Sequence, residues 1–104
     1  MDCGNYSYAP TMLDGDSTQT AYFENDDMYS EVTFYARHYW VYAMSYDGTL
    51  EISGCFKCKE TAVDLHNFIV ANFADTPPES NDNLRMYVEL LESLDKQKWS
   101  VKHD

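Results

Sequence analysis

The sequence predicts an α+β fold: a small antiparallel sheet, built on a central hairpin at about 32–56, packed against two C-terminal helices. Three observations carry this expectation. Asp47-Gly48 separates two runs rich in β-branched and aromatic residues, which is the strongest short-range hairpin signal. Apolar residues recur at helical spacing in two later segments, one after Thr61 and one after Asp82. Strand-like segments come first and helical ones second, the order of an α+β chain.

Taken in order, residues 1–20 are rich in Gly, Ser, Thr, Asn and Asp, include Pro10, and read as a largely irregular acidic segment. Thr20 to Glu24 (TAYFE) reads as a short strand joining the sheet, and Asp26-Asp27 as the turn after it. Val32 to Tyr46 reads as one long strand with a bulge or break near Ala36-Arg37-His38. Its tyrosines 35, 39, 42 and 46 fall at helical spacing. The Val, Thr, Phe, Tyr and Trp content and the lack of a helix stop before Asp47 favour a strand.

A two-residue type I′ loop at Asp47-Gly48 would fix the pairing, whereas a three-residue loop with a bulge would shift the register and flip the faces of the first strand. The two-residue loop sets Tyr46 opposite Thr49, Ser45 opposite Leu50, Met44 opposite Glu51, Ala43 opposite Ile52 and Tyr42 opposite Ser53. Opposed residues share a face, and faces alternate along a strand. Leu50 and Ile52 belong to the core, which turns Tyr39, Val41 and Ala43 inward. Trp40, Tyr42, Met44 and Tyr46 then lie on the other face beside Glu51.

Thr61-Ala62-Val63-Asp64 has the pattern of a capping box that opens the first helix. Ala62, Leu65, Ile69 and Phe73 form its apolar stripe, widened by His66 and Val70. The helix ends before Pro77-Pro78, in the polar linker Asp75 to Asn81. A second helix is expected from Asp82 to about Lys96, with Leu84, Tyr87, Val88, Leu91 and Leu94 as its apolar face and Glu89 and Glu92 on a solvated one. Lys98 to Lys102 alternates and reads as a short edge strand anchored by Trp99.

A chain of 104 residues fits a single domain, 1–104, and its 44% hydrophobic and 15% aromatic content suits a folded one. The net charge is −11, with a pI near 4.4, which disfavours direct binding to nucleic acid or anionic membrane and favours a basic protein partner. Asp2, Asp14, Asp16, Glu24, Asp26, Asp27 and Glu31 precede the first basic residue, Arg37. No apolar run reaches the ~20 residues of a membrane span. MDCGNYSYAP lacks the basic and apolar regions of a secretory signal, so the expected location is cytoplasmic, in the host cytoplasm if phage-encoded.

Cys55-x-x-Cys58 is the one motif with chemical meaning. It falls after a strand and before a helix, as in thioredoxin-like redox sites, but a hairpin and a long acidic segment precede it and its insert lacks Gly-Pro. A zinc site would add His66 and one of Cys3, His38 or His103 to Cys55 and Cys58, and no second CxxC or HxxxH supports it. Asp14-Gly15-Asp16 fails as an EF-hand start because Gln19 and Asn25 stand where Gly and Glu are needed. His66 lies on an apolar helix side, as core histidines do. No nucleophile–base spacing and no Gly-rich phosphate loop occurs, so neither an enzyme nor a cofactor is expected.

The expected function is that of a small acidic inhibitor that binds a protein partner and occupies its nucleic-acid-binding surface. Asp14, Asp16, Glu24, Asp26, Asp27 and Glu31 supply charge, and Trp40, Tyr42 and Tyr46 supply anchoring area. In composition the chain resembles small phage or mobile-element proteins that block restriction or CRISPR machinery. The resemblance is one of composition, with no family motif behind it. An immunity protein or chaperone-like adaptor for a basic toxin or effector is the alternative, and a zinc or redox module built on Cys55 and Cys58 a third.

Overall fold

In the computed structural model the described residues are 5–6, 19–76, 78 and 80–101. They form a five-stranded antiparallel meander, β1 (Asn5–Tyr6), β2 (Gln19–Glu24), β3 (Met28–Tyr35), β4 (His38–Ser45) and β5 (Glu51–Phe56), with spatial order following sequence order. Helices α1 (Lys59–Phe73) and α2 (Asp82–Val101) follow. The α+β class, the antiparallel sheet and the two C-terminal helices are as the sequence predicts. The irregular reading of residues 1–20 falls largely outside the described residues, and β2 already begins at Gln19.

Three short turns order the strands. Asp26 and Asp27 form the first, where the Asn25 side chain accepts the amides of Asp27 and Met28 at 2.8 Å each. Its Nδ2 donates to Ala74 O at 2.7 Å, which ties this turn to the C-terminus of α1. The second corrects the sequence reading. The expected break near Ala36 is a complete reversal, so 32–46 is not one strand. Tyr35 pairs with His38, and Ala36 and Arg37 both take positive φ, 54° and 65°. This is the backbone of a type I′ turn, usually supplied by Asn-Gly. Two contacts hold it: Trp40 Nε1 donates to Tyr35 O at 2.8 Å and His38 Nδ1 donates to Ala36 O at 2.9 Å.

The third turn keeps the predicted register by a different loop. Met44 pairs with Glu51, Ala43 with Ile52 and Tyr42 with Ser53. The loop runs through Tyr46–Thr49, with Ser45 N donating to Leu50 O at 2.9 Å and Gly48 N to Ser45 O at 3.1 Å. Of the loop residues only Gly48 has positive φ, at 85°, so the turn is not type I′ and Tyr46 and Thr49 are not a ladder pair. Asp47 closes the loop by accepting from Ser45 Oγ and Thr49 Oγ1, both at 2.7 Å, and from Thr49 N at 3.0 Å. A four-residue loop centred on the same two residues leaves every pair below it unchanged.

Alternation then sorts the two faces. Ala21, Phe23, Met28, Val32, Tyr39, Val41, Ala43, Ile52 and Phe56 are buried on the inner one. α1 covers that face with Ala62, Leu65 and Ile69, and α2 adds Leu84 and Val88. α2 runs along β5 and satisfies its outer edge. Asn81 exchanges two bonds with the Glu51 backbone, at 3.2 and 2.6 Å, and Glu92 accepts the Cys55 amide at 2.9 Å. Glu92 is therefore not on a solvated face. An edge strand with its amides taken by a helix's side chains is closed to further pairing. Gly54 permits the approach, since a Cβ there would lie 2.9 Å from Phe56 Cε2 and 3.0 Å from Val88 Cγ1.

Both helices depart from expectation in detail. α1 starts at Lys59 with Cys58 as N-cap and without a side-chain cap of its own, so Thr61 lies inside the helix. The cap comes from α2: Asp95 accepts the amides of Lys57 and Cys58 at 2.9 and 3.1 Å. α2 buries Leu84, Val88 and Asp95 and leaves Tyr87 and Leu94 exposed, although both read as part of its apolar face. It continues to Val101, so residues 98–101 are helical and not an edge strand, while Lys102 lies outside the described residues.

Candidate functional site

The outer sheet face is assembled in cross-strand rows. Glu24, Tyr29, Met44 and Glu51 make one row across β2 to β5. Tyr22, Glu31, Tyr42 and Ser53 make the next, and Thr20, Thr33, Trp40 and Cys55 a third. Tyr35 and His38 close it at the β3–β4 turn. Strands β2 to β5 contain no Lys or Arg. The face is thus aromatic and acidic, with Trp40 42% and Tyr46 51% exposed.

Neighbouring hydroxyls hold its carboxylates in place. Tyr29 donates to Glu31 Oε1 at 2.5 Å and Thr33 to Oε2 at 3.4 Å, while Thr33 and Thr20 share a bond of 2.9 Å. Tyr46 donates to Glu24 Oε2 at 2.6 Å. Burial, the Glu31 bond and the nearby carboxylates raise the Tyr29 hydroxyl well above its usual pKa. The Glu24 bond also raises the Tyr46 hydroxyl. Tyr22 stacks on Tyr29, with ring centroids 6.1 Å apart. A carboxylate oxygen that accepts one hydroxyl keeps a lone pair for a further donor, so these acids remain able to take a cation.

Of the residues that the sequence singled out, Glu24, Glu31, Trp40, Tyr42 and Tyr46 share this face. Asp26 and Asp27 are exposed in the β2–β3 turn at its end, beside Tyr46, whose amide donates to Asp27 O at 2.9 Å. Asp14 and Asp16 lie outside the described residues. Tyr22 and Tyr29 were missed, although alternation in TAYFE and MYSEV places both beside Glu24 and Glu31. The face ends in a cleft of about 390 Å³ against α2, lined by Tyr42, Glu51, Ser53, Arg85, Glu89 and Glu92. Trp40, Gly54 and Cys55 extend it alongside.

The ligand set Cys55, Cys58 and His66 is not brought together. Cys55 is on the outer face, and Cys58 occupies the N-cap position of α1. His66 is buried against the inner face of β3, where Nδ1 and Ser30 Oγ share a bond of 2.7 Å. Among the described residues no group of three or more His, Cys, Asp or Glu is placed to hold a metal ion. Cys3 and His103 lie outside those residues. Burial, followed by the Glu92 and Asp95 charges, raises the Cys55 thiol pKa, which is opposite to the activation that a redox thiol needs. Burial lowers His66 to about 4, so its imidazole is neutral in the fold.

The molecule is a small α+β protein with one sheet face covered by helices and the other acidic, aromatic and open among the described residues. Protein-family models, curated proteins and solved structures contain no match to the chain. No helix among the described residues is long and apolar enough to cross a membrane.

Proposed function

We propose that the outer sheet face docks a partner protein that has a basic, nucleic-acid-binding surface, and that the chain inhibits this partner by occupying that surface. Its setting would be anti-defence by a phage or mobile element against restriction or CRISPR machinery in the host cytoplasm. One observation carries the reading: Glu24, Glu31 and Glu51 stand among Tyr22, Tyr29, Trp40, Tyr42 and Tyr46 on a face whose strands hold no Lys or Arg. Three strand spacings spread these carboxylates over about 14 Å. Lysines and arginines that bind phosphates accept such carboxylates, and the aromatic rings add area and cation–π attraction. The net charge of −11 works against direct nucleic-acid binding and speeds encounter with a basic surface.

The test is an affinity capture from host lysate at low and high salt with nuclease treatment, followed by competition. The expected result is a nucleic-acid-binding protein whose nucleic acid the chain displaces. Trp40→Ala and Tyr42→Ala should weaken binding about tenfold or more, the scale of a buried aromatic anchor. Charge reversal at Asp26 and Asp27 should act through the association rate and reduce its salt dependence. Capture of a basic toxin or secreted effector instead would move the reading to an immunity protein or adaptor. Unchanged binding by the reversed variants at low salt would remove the electrostatic part.

A further inference from the structure

α2 carries a second surface, independent of the sheet face. Met86, Tyr87, Leu90 and Leu94 are 66, 40, 55 and 51% exposed. Phe68 of α1, 42% exposed, meets Tyr87 with ring centroids 5.6 Å apart and widens the patch. Asp82, Met86, Leu90, Leu94 and Lys98 fall four residues apart on α2, and all five are exposed. Residues at that spacing make one ridge along a helix. Leu90 stands about 200° around the helix from the buried Val88, so the ridge points away from β5.

The ridge reads acid, three apolar residues, base. Reversed, it complements itself. A second α2 turned antiparallel about Leu90 sets Met86 against Leu94 and Asp82 against Lys98, and a two-fold axis makes each contact twice. We propose that this ridge is a homodimer interface, in which two copies of the chain pair α2 antiparallel across a two-fold axis at Leu90. The register that matches the apolar residues is the one that matches the charges.

Charge and area agree with a second copy as the occupant. A chain of net charge −11 resists self-association through an acidic surface. The exposed charged residues of α2 are Asp82, Arg85, Glu89, Lys96 and Lys98, because Glu92 and Asp95 are engaged with the backbone of β5 and the start of α1. With those two counted, α2 carries a net charge of −1 out of the chain's −11, so it is nearly balanced where the rest of the chain is acidic. The five apolar residues expose roughly 500 Å² per copy, so pairing removes about 1,000 Å², the floor for a specific interface. A crossing of about −50°, the angle at which the i±4 rows of two helices run parallel, keeps both ends of the ridge within reach of their partners.

Sedimentation velocity of the full chain tests this, from micromolar to submillimolar concentration at physiological ionic strength. The expected result is the mass of two chains at the upper end. Leu90→Lys, which sets two like charges on the axis, should give a monomer. Asp82→Lys and Lys98→Asp should each weaken the dimer roughly three- to tenfold, since each breaks two exposed pairs, and the double variant should restore it. These side chains are exposed, so far-UV circular dichroism should be unchanged throughout. The mass of one chain at every concentration overturns the proposal, as does a double variant no tighter than the single ones.

Discussion

Asp95 on α2 caps the helix that Cys58 begins: its Oδ1 accepts the Cys58 amide at 3.1 Å, and its Oδ2 accepts that of Lys57 at 2.9 Å. One carboxylate therefore joins the end of β5, the start of α1 and the body of α2. Negative charge at a helix N-terminus also opposes the positive end of the dipole.

Asp95→Ala removes both acceptors at a site only 6% exposed. The expected loss is about 1–3 kcal/mol, since two part-buried amides lose a charged acceptor. Asp95→Asn keeps one acceptor and should lose less. Urea unfolding midpoints give both values, and a loss below about 0.5 kcal/mol for the alanine variant would show that water replaces the carboxylate.

The Ala36-Arg37 turn carries backbone strain that can be relieved. Left-handed φ costs a non-glycine residue about 1–2 kcal/mol. Replacing the pair by Asn-Gly should raise stability by about 1 kcal/mol, after the extra chain entropy of glycine is set against the relief. Thermal unfolding measures it, and no rise in melting temperature would mean that the Trp40 and His38 contacts already offset the strain.

Gly54→Ala should destabilise by about 1–3 kcal/mol, the usual cost of overpacking. The new methyl group would collide with the Phe56 ring, fully buried, and with Val88. Hydrogen exchange should show faster exchange at the Cys55, Lys57 and Cys58 amides as α2 withdraws from β5. Unchanged protection there would falsify the close approach.

His66 sets a pH dependence whose sign follows from its lowered pKa. The folded imidazole has a pKa of about 4 because burial disfavours its charged form, against about 6.5 when unfolded. Below pH ~6.5 the unfolded chain binds a proton that the folded one does not. Its stabilising contribution is complete above that pH and falls by about 3 kcal/mol as the pH drops towards 4. His66→Gln keeps a partner for Ser30 without titrating, so its stability curve should be flatter across this window. A resonance assigned to the His66 imidazole that titrates near pH 6.5 in the native protein would contradict this account.

Several features of the fold were legible in the sequence because their causes are local. Asp47-Gly48 announces its turn by residue type, and alternation beside Leu50 and Ile52 assigns the faces of β4 and β5. Glu24, Glu31, Trp40, Tyr42 and Tyr46 could be placed on one face from that alternation once the strands were known. The reversal at Ala36-Arg37 could not be read in full, since neither residue is a type I′ former. It depends on Trp40 and His38 reaching back to the backbone.

The α+β class, the β4–β5 register and the aromatic outer face of β4 beside Glu51 were readable from the chain, because hydrophobic period and turn chemistry act over a few residues, whereas Glu24 and Glu31 join that face only through the pairing of β2, β3 and β4. Which side of α2 is buried depends on partners far away in the chain. Leu84 and Val88 go inward with Asp95, and Tyr87 and Leu94 stay out, because the outward amides of β5 and the start of α1 need acceptors. Asp95 and Cys58 are 37 residues apart in the chain, and no local pattern specifies such a pairing.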